Sequence, residues 1–395
     1  MPSQSNTTDG APLIIVGSGL AGYTVAREVR KLDRQRPIVL LTQDDGAAYS
    51  KPMLSNALAQ KKDAAALVNF DAATMAKQLD ATILTHQVVG HIHAGHHAIE
   101  SLGVRMPYSQ LVLALGADPR RPQLGGTAAG DVLCVNDLRD YARFRHALAS
   151  CRSVAILGAG LIGVEFANDL AAAGYGVSLL DPAPAPLSRL LPRPLGDAFA
   201  RGLSRQGVKL LLGSVATRVD HEGLAYRLTL ADGSHIEADL VVSAIGLAPR
   251  VALARAAGIS VAQGICTDNF CRTSAPDVFA LGDCAEIDGK VQPYILPIMH
   301  AARALAATLC GTPTPVKFPV MPVSVKTPAV PAVVAPAPTG ADHWSVEAWP
   351  NGTGDALRAL CTEQESGRVL GFSLVGEAIA WKSDLLRRME AEAKP

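Results

Sequence analysis

Two copies of one glycine fingerprint, well separated in a single chain, leave few architectures open. The first is Ile14-Ile15-Val16-Gly17-Ser18-Gly19-Leu20-Ala21-Gly22 and the second is Ala155-Ile156-Leu157-Gly158-Ala159-Gly160-Leu161-Ile162-Gly163. Each is a short apolar run, then G-x-G-x-x-G, then helix-forming residues. In such a motif the first glycine permits the tight strand-to-helix turn and the second lets backbone approach a pyrophosphate. The third lets helix and strand pack closely. The helix N-terminus then faces the phosphates with unpaired N–H groups. One G-x-G-x-x-G arises readily by chance. Two in one chain imply two dinucleotides, an arrangement most useful when electrons pass between them.

The duplication runs further. Leu111-Val112-Leu113-Ala114-Leu115-Gly116-Ala117-Asp118-Pro119-Arg120 is echoed by Leu240-Val241-Val242-Ser243-Ala244-Ile245-Gly246-Leu247-Ala248-Pro249-Arg250. Each copy reads as a buried strand followed by a glycine and a proline-ended turn. The fold class predicted is α/β: two Rossmann-like three-layer dinucleotide-binding domains plus a small α+β C-terminal domain. The first βαβ-type unit runs over residues 12–120, with its second strand at 38–42. The second runs over 121–247, with its second strand at 177–180, and residues 248–318 form a third stretch. After Pro319 the composition changes. Residues 321–338, rich in Val, Ala and Pro, read as edge strands with turns. Residues 344–376 read as short antiparallel strands. Residues 377–393 read as a helix with Ile379, Leu385, Leu386 and Met389 on its apolar side.

Composition narrows the class without fixing it. With 395 residues and 49% hydrophobic side chains the chain has room for more than one core. A formal net charge of zero gives no broad field for nucleic acid or an anionic membrane surface. Residues 1–10 lack a basic and an apolar region and read as a loose tail, not a signal peptide. No apolar run reaches membrane-spanning length, so a cytoplasmic protein is expected. The seven cysteines are odd in number and scattered, against a disulfide framework. Cys266 and Cys271, the one close pair, read as residues of a strand region rather than a redox couple. No C-x-x-C occurs, so iron, if it takes part, belongs to a partner.

The ordered set of motifs resembles a known family. Two fingerprints, two strand-glycine-proline echoes and a final Phe279-Ala280-Leu281-Gly282-Asp283 are similar to the two-dinucleotide flavoprotein reductases. Within that group, three stretches resemble the NADH:rubredoxin reductases: Tyr49-Ser50-Lys51-Pro52-Met53-Leu54-Ser55, Leu161-Ile162-Gly163-Val164-Glu165-Phe166-Ala167-Asn168-Asp169-Leu170, and Val323-Ser324-Val325-Lys326-Thr327-Pro328. The resemblance implies FAD bound jointly by residues 12–120 and 248–318, and NADH bound by 121–247. It implies hydride transfer from NADH to the flavin, then single electrons to rubredoxin or a similar iron protein. The disulfide reductases of the wider group need a cysteine pair after the first fingerprint, and none stands between Gly22 and His86. Flavorubredoxin and ferredoxin reductases share nearly all these motifs. A slow-turnover flavin- and NADH-binding signalling protein is the reading from a different class. The short C-terminal domain makes a monomer or weak dimer the expected state.

Site residues follow from both sources. Gly17, Gly19 and Gly22 are expected at the FAD pyrophosphate, and Gly158, Gly160 and Gly163 at that of NADH. The fingerprint rule places an acidic ribose partner about 20 positions on. In the second unit this is Asp181, whose carboxylate would accept from the 2′-hydroxyl and repel a 2′-phosphate, favouring NADH over NADPH. In the first unit Asp44 and Asp45 both fit, with Asp44 preferred. The resemblance implies further cofactor contacts at Ser18, Leu20, Ala21, Thr42, Val88, Gly116, Leu161, Ile162, Gly246 and Gly282. It implies Asp283 at the ribityl hydroxyls, and Ile295 at the start of a helix over 298–309 whose N-terminus faces the flavin, with Met299 and His300 nearby. It implies Lys326 beside the isoalloxazine. Lys51 and Glu165 are implied near flavin N5 as a catalytic charged pair, with a plain packing salt bridge as the alternative.

Two clusters invite a sharper reading and receive a plainer one. His91, His93, His96 and His97 have ligand-like spacing, but residues 90–95 read as a surface hairpin with no acidic or cysteine partner to complete a metal site. Lys382, Arg387 and Arg388 read as a solvated helix face, with charge-steered docking of an acidic partner as the alternative.

Overall fold

Short runs of fully apolar residues become the central strands of two parallel sheets, because only a sheet covered on both faces buries such runs completely. In the computed structural model, which describes residues 10–338, 340–341, 343–350, 352 and 354–392, Leu13–Val16 pairs in parallel with Ile38–Leu41 on one side and Gln110–Leu113 on the other. Val278–Ala280 and Thr82–Leu84 extend the two edges to five parallel strands. Leu13, Ile14, Ile15, Leu111, Val112 and Leu113 are all fully buried. The helices Leu20–Leu32 and Ile295–Leu309 share this core, with Thr24 Oγ1 donating to Met299 Sδ at 3.7 Å. Most of the expected tail at residues 1–10, and Ala393 of the expected last helix, lie outside the described residues.

The second sheet repeats the pattern with four parallel strands in the order Val208–Leu212, Gly176–Asp181, Ser153–Leu157, Leu240–Ser243. Each sheet has its own three-stranded antiparallel meander. One runs Val89–His93, Ala98–Ser101, Val104–Pro107, and the other Ala216–Glu222, Ala225–Leu230, His235–Ala238. The echoed turns close in matching ways. Arg250 N–H donates to Gly116 C=O at 3.0 Å, and Arg120 N–H donates to Gly246 C=O at 2.9 Å.

The chain packs as two units. One holds residues up to Lys51, Ala66–Asp118 and Leu247–Pro319; the other holds Pro52–Ala65, Pro119–Gly246 and the chain from Val320. The short segment Pro52–Ala65 thus belongs with the second sheet although its sequence neighbours belong with the first. The second unit also includes a five-stranded antiparallel sheet in the order Val323–Val325, Ala332–Ala335, Val369–Val375, Leu357–Thr362, Trp344–Ala348.

Three local expectations change. Ala332–Ala335 is an interior strand, not an edge, and all four of its residues are buried. Its flanking Pro331 and Pro336 lie outside the ladder, so no hydrogen bond is lost. The last helix begins as a 3-10 turn, Gly376–Trp381, and becomes α-helical over Lys382–Glu392. The tighter turn sets Trp381 edge-on to Trp349 at 4.5 Å, beneath the Arg358 guanidinium at 3.9 Å. The helix expected from 298 begins at Ile295, with Pro297 in its first turn. Proline is tolerated there because the missing N–H has no partner in any helix.

Candidate active site

The two fingerprint loops separate glycines the fold needs from glycines it does not. Gly17 has φ +114°, and a Cβ there would lie 2.2 Å from Ala114 O; a Cβ on Gly22 would lie 1.9 Å from Gly17 O. The second loop repeats this, with Gly158 at φ +104° and 2.6 Å from Ala244 O, and Gly163 at 1.8 Å from Gly158 O. The middle glycines differ. Gly19 and Gly160 have φ −70° and −75°, open to any residue, and a Cβ on either would meet no atom within 4 Å. Both are helix N-caps that offer no side-chain acceptor, and neither helix has an acidic residue in its first turn. Serine, threonine or aspartate would cap better. A bare cap keeps the first N–H groups and the positive helix end open to an external anion. The residues present therefore fit a pyrophosphate at each loop.

In the first unit the loop continues into a compact polar cluster. Ser18 Oγ donates to Thr42 Oγ1 at 2.8 Å, and Thr42 Oγ1 donates to Asp44 Oδ1 at 2.6 Å. Asp44 Oδ1 also accepts from Gly46 N–H at 3.0 Å. The structure thus joins Ser18, Thr42 and Asp44, while Asp45 Oδ1 accepts from Ala47 N–H at 3.1 Å. The Val88 carbonyl accepts from Ser101 Oγ at 3.0 Å. Leu20 and Ala21 open the helix, and Gly282, at φ +79°, would set a Cβ 2.9 Å from Ala21 Cβ. That close approach brings the strand end carrying Asp283 onto the first fingerprint. Burial pushes the Asp283 carboxyl above the usual range, and the Lys51 charge opposes the shift. Ile295 and Leu296 are exposed apolar residues at the bare N-terminus of their helix. Met299 packs against Thr24.

In the second unit Asp181 is the last residue of its strand. Its Oδ2 accepts from Ala159 N–H, inside the glycine loop, at 2.6 Å, and its Oδ1 accepts from Ala183 N–H at 2.8 Å. The carboxylate is therefore fixed beside the loop by two backbone donors. Leu161 and Ile162 form the half-buried first turn of the helix, and Gly246 closes the adjoining strand turn at φ +111°.

The same helix, Leu161–Ala172, carries three buried polar residues at positions 165, 168 and 169. Glu165 Oε2 accepts from Ser55 Oγ at 2.5 Å and ion-pairs with Lys326 Nζ at 2.8 Å. Its Oε1 accepts from Lys326 N–H at 3.0 Å. Lys326 Nζ further donates to Ser55 Oγ at 3.3 Å and to Pro52 O. Asp169 accepts from Leu58 N–H at 2.8 Å and Ala59 N–H at 3.0 Å, and Asn168 Oδ1 accepts from Ala329 N–H at 3.3 Å. One helix face therefore holds both the Pro52–Ala65 segment and the 326–329 turn. Within its own unit the cationic partner of Glu165 is Lys326. Sequence reading gave no role to Ser55, Asn168 or Asp169. The available signal was three polar residues on one face of an otherwise apolar helix, which burial makes costly unless each is hydrogen-bonded.

All seven cysteines are free, and burial pushes the Cys271 thiol up to about 12. His93 Nε2 lies 3.3 Å from Glu100, and His97 Nε2 lies 3.9 Å from Asp277. Among the described residues no three His, Cys, Asp or Glu side chains converge as metal ligands. On the last helix Arg387 pairs with Asp384 and Arg388 with Glu392, the latter at 2.8 Å. Lys382 Nζ reaches Ser324 Oγ at 3.5 Å. No helix of the described residues is long and apolar enough to cross a membrane.

Comparison with known proteins places this geometry. The pyridine nucleotide-disulphide oxidoreductase pattern matches residues 11–307. The chain belongs to that family. A second pattern, the rubredoxin binding C-terminal domain, matches residues 315–389. The chain is 47% identical to a rubredoxin-NAD(+) reductase of Alcanivorax borkumensis, over 96% of this chain and 99% of that protein. It is 39% identical to a nitric oxide reductase FlRd-NAD(+) reductase of Aeromonas hydrophila, over 98% of each. Among solved structures it is similar to the ferredoxin reductase for the CYP199A2 system from Rhodopseudomonas palustris. The TM-score is 0.84 at 26% identity, covering 92% of this chain and 91% of that one. The family confirms the α/β class read from the doubled fingerprint.

Proposed function

We propose that this chain is an FAD-dependent NADH:rubredoxin oxidoreductase. One observation carries the reading: two glycine loops, each with a middle glycine the fold does not require, joined in one chain to a C-terminal segment of the rubredoxin-binding type. The bound cofactors supply the redox chemistry, a hydride from NADH and single electrons to the iron protein. The protein supplies position and electrostatics. In the first unit the Gly17–Gly22 loop, the Ser18, Thr42 and Asp44 cluster, Val88, Gly116, Gly282 and Asp283 hold FAD. The Ile295 helix end adds its positive dipole on the flavin side. In the second unit the Gly158–Gly163 loop, Gly246 and Asp181 hold NADH, with Leu161 and Ile162 lining the entry. In the first unit Lys51, and in the second Glu165 with Lys326, are the charged residues this reading assigns to the redox chemistry.

The protein works in the cytoplasm as a monomer or weak dimer, and the C-terminal domain receives rubredoxin. The 39% identity to flavorubredoxin reductases favours a flavorubredoxin as the second reading of the acceptor. Stopped-flow mixing of the flavin-loaded protein with NADH, followed by titration with purified rubredoxin, tests the proposal. Fast bleaching and fast rubredoxin turnover are expected. Slow bleaching would instead support the signalling reading, and fast bleaching with turnover only on a flavorubredoxin would support the second.

A further inference from the structure

Glu165 is a nearly buried carboxylate on the second turn of the helix whose N-terminus carries the second glycine loop. A carboxylate in such a place keeps one orientation only if donors fix both oxygens. Three donors do so here. Two come from Lys326, through its backbone N–H on Oε1 and its ammonium on Oε2. The third is Ser55 Oγ on Oε2, the shortest contact of the set at 2.5 Å. Ser55 is itself buried, and its oxygen accepts from Lys326 Nζ at 3.3 Å. The hydroxyl therefore stands inside a closed triangle, donating to the acid and accepting from the base. A serine held only for packing would need neither contact.

We propose that Ser55 is a positioning residue for the NADH half-reaction: its hydroxyl, with Lys326, holds the Glu165 carboxylate in the single orientation that hydride transfer requires. The inference rests on the reading of the second unit as the NADH site. Lys326 Nζ is held by Pro52 O as well as by Glu165 and Ser55. The segment that bears Ser55 is tied to the same helix by Asp169 through Leu58 and Ala59. Ser55 thus supplies a neutral donor and Lys326 the charge.

The test is a double-mutant cycle in the flavin-loaded protein: wild type, Ser55→Ala, Glu165→Gln and the double variant. It reads the limiting rate of flavin reduction by NADH, the NAD+ dissociation constant and the Tm. Ser55→Ala is expected to slow reduction about tenfold, the size of effect expected for a lost hydrogen bond to a charged group, while NAD+ affinity changes less than about twofold. In the Glu165→Gln background the serine change is expected to add nothing, because residues acting through one another are not additive. Wild-type rates in Ser55→Ala, or effects that multiply in the double variant, would overturn the proposal. So would a loss confined to NAD+ affinity and Tm. If Ser55→Ala fails to retain flavin, Lys326→Gln enters the same cycle, and it too must lose its effect once Glu165 is replaced. Failure of the wild type to be reduced by NADH would strike the functional reading instead.

Discussion

At the scale of single residues, the glycine loops make opposite predictions for neighbouring positions. Gly163→Ala places a Cβ 1.8 Å from a carbonyl oxygen. It is expected to cost about 1–3 kcal/mol or more of stability, read as a fall in Tm. Gly160→Ala meets no protein atom. It is expected to leave Tm nearly unchanged, since the narrower unfolded ensemble of alanine at a compatible φ offsets its poorer N-cap, yet to weaken NAD+ binding at least about tenfold, because the methyl occupies the phosphate approach. A Gly160→Ala variant that binds NAD+ normally would refute the reading of that loop. Asp181 carries the specificity prediction. Held by Ala159 and Ala183 N–H groups, it presents fixed negative charge beside the loop. Comparison of kcat/KM is expected to favour NADH over NADPH by about tenfold or more, and parity would refute the assignment.

At the scale of elements, the helix Leu161–Ala172 has a double task. Its N-terminus carries the glycine loop proposed to hold the dinucleotide, while its buried polar face fixes two loops. Asp169 is the pin for one of them. Burial pushes its carboxyl above the usual range, against the pull of the Ala59 and Leu58 N–H groups. A raised folded value means the folded protein holds the proton more tightly than the unfolded chain. This residue's contribution to stability is therefore greatest below the ordinary aspartate value of about 3.9. It declines as pH rises toward the raised folded value, and is flat above it. The Tm difference between wild type and Asp169→Asn is expected to shrink with rising pH across that window. A difference that grows there would show the opposite sign and refute the account.

At the scale of the whole molecule, the last helix offers an incoming partner no net charge. Lys382, Arg387 and Arg388 share their helix with Asp384, Glu390 and Glu392, so its charge sums to zero. Arg387 and Arg388 each pair with an acid on the same helix. Exposed pairs of this kind contribute little and are screened by salt. Alanine at Arg387 or Arg388 is expected to change kcat/KM for rubredoxin less than about threefold at physiological ionic strength. A loss of tenfold or more would restore charge-steered docking through this helix.

The amino-acid sequence by itself determined the doubled α/β plan, because glycine spacing and apolar runs are local properties that one period of strand and helix expresses. It also placed the two glycine loops between strand and helix, since those three parts are contiguous in the chain. Tertiary structure alone decided what lies far apart in the chain. It placed Ser55 on Glu165, made Lys326 the cation beside that acid, joined Asp44 to Ser18 and Thr42, and turned the proline-flanked strand Ala332–Ala335 into an interior one. Those outcomes depend on which groups meet across the fold, and neither a hydrogen-bond partner 110 positions away nor a strand's neighbours in its sheet are written in local pattern.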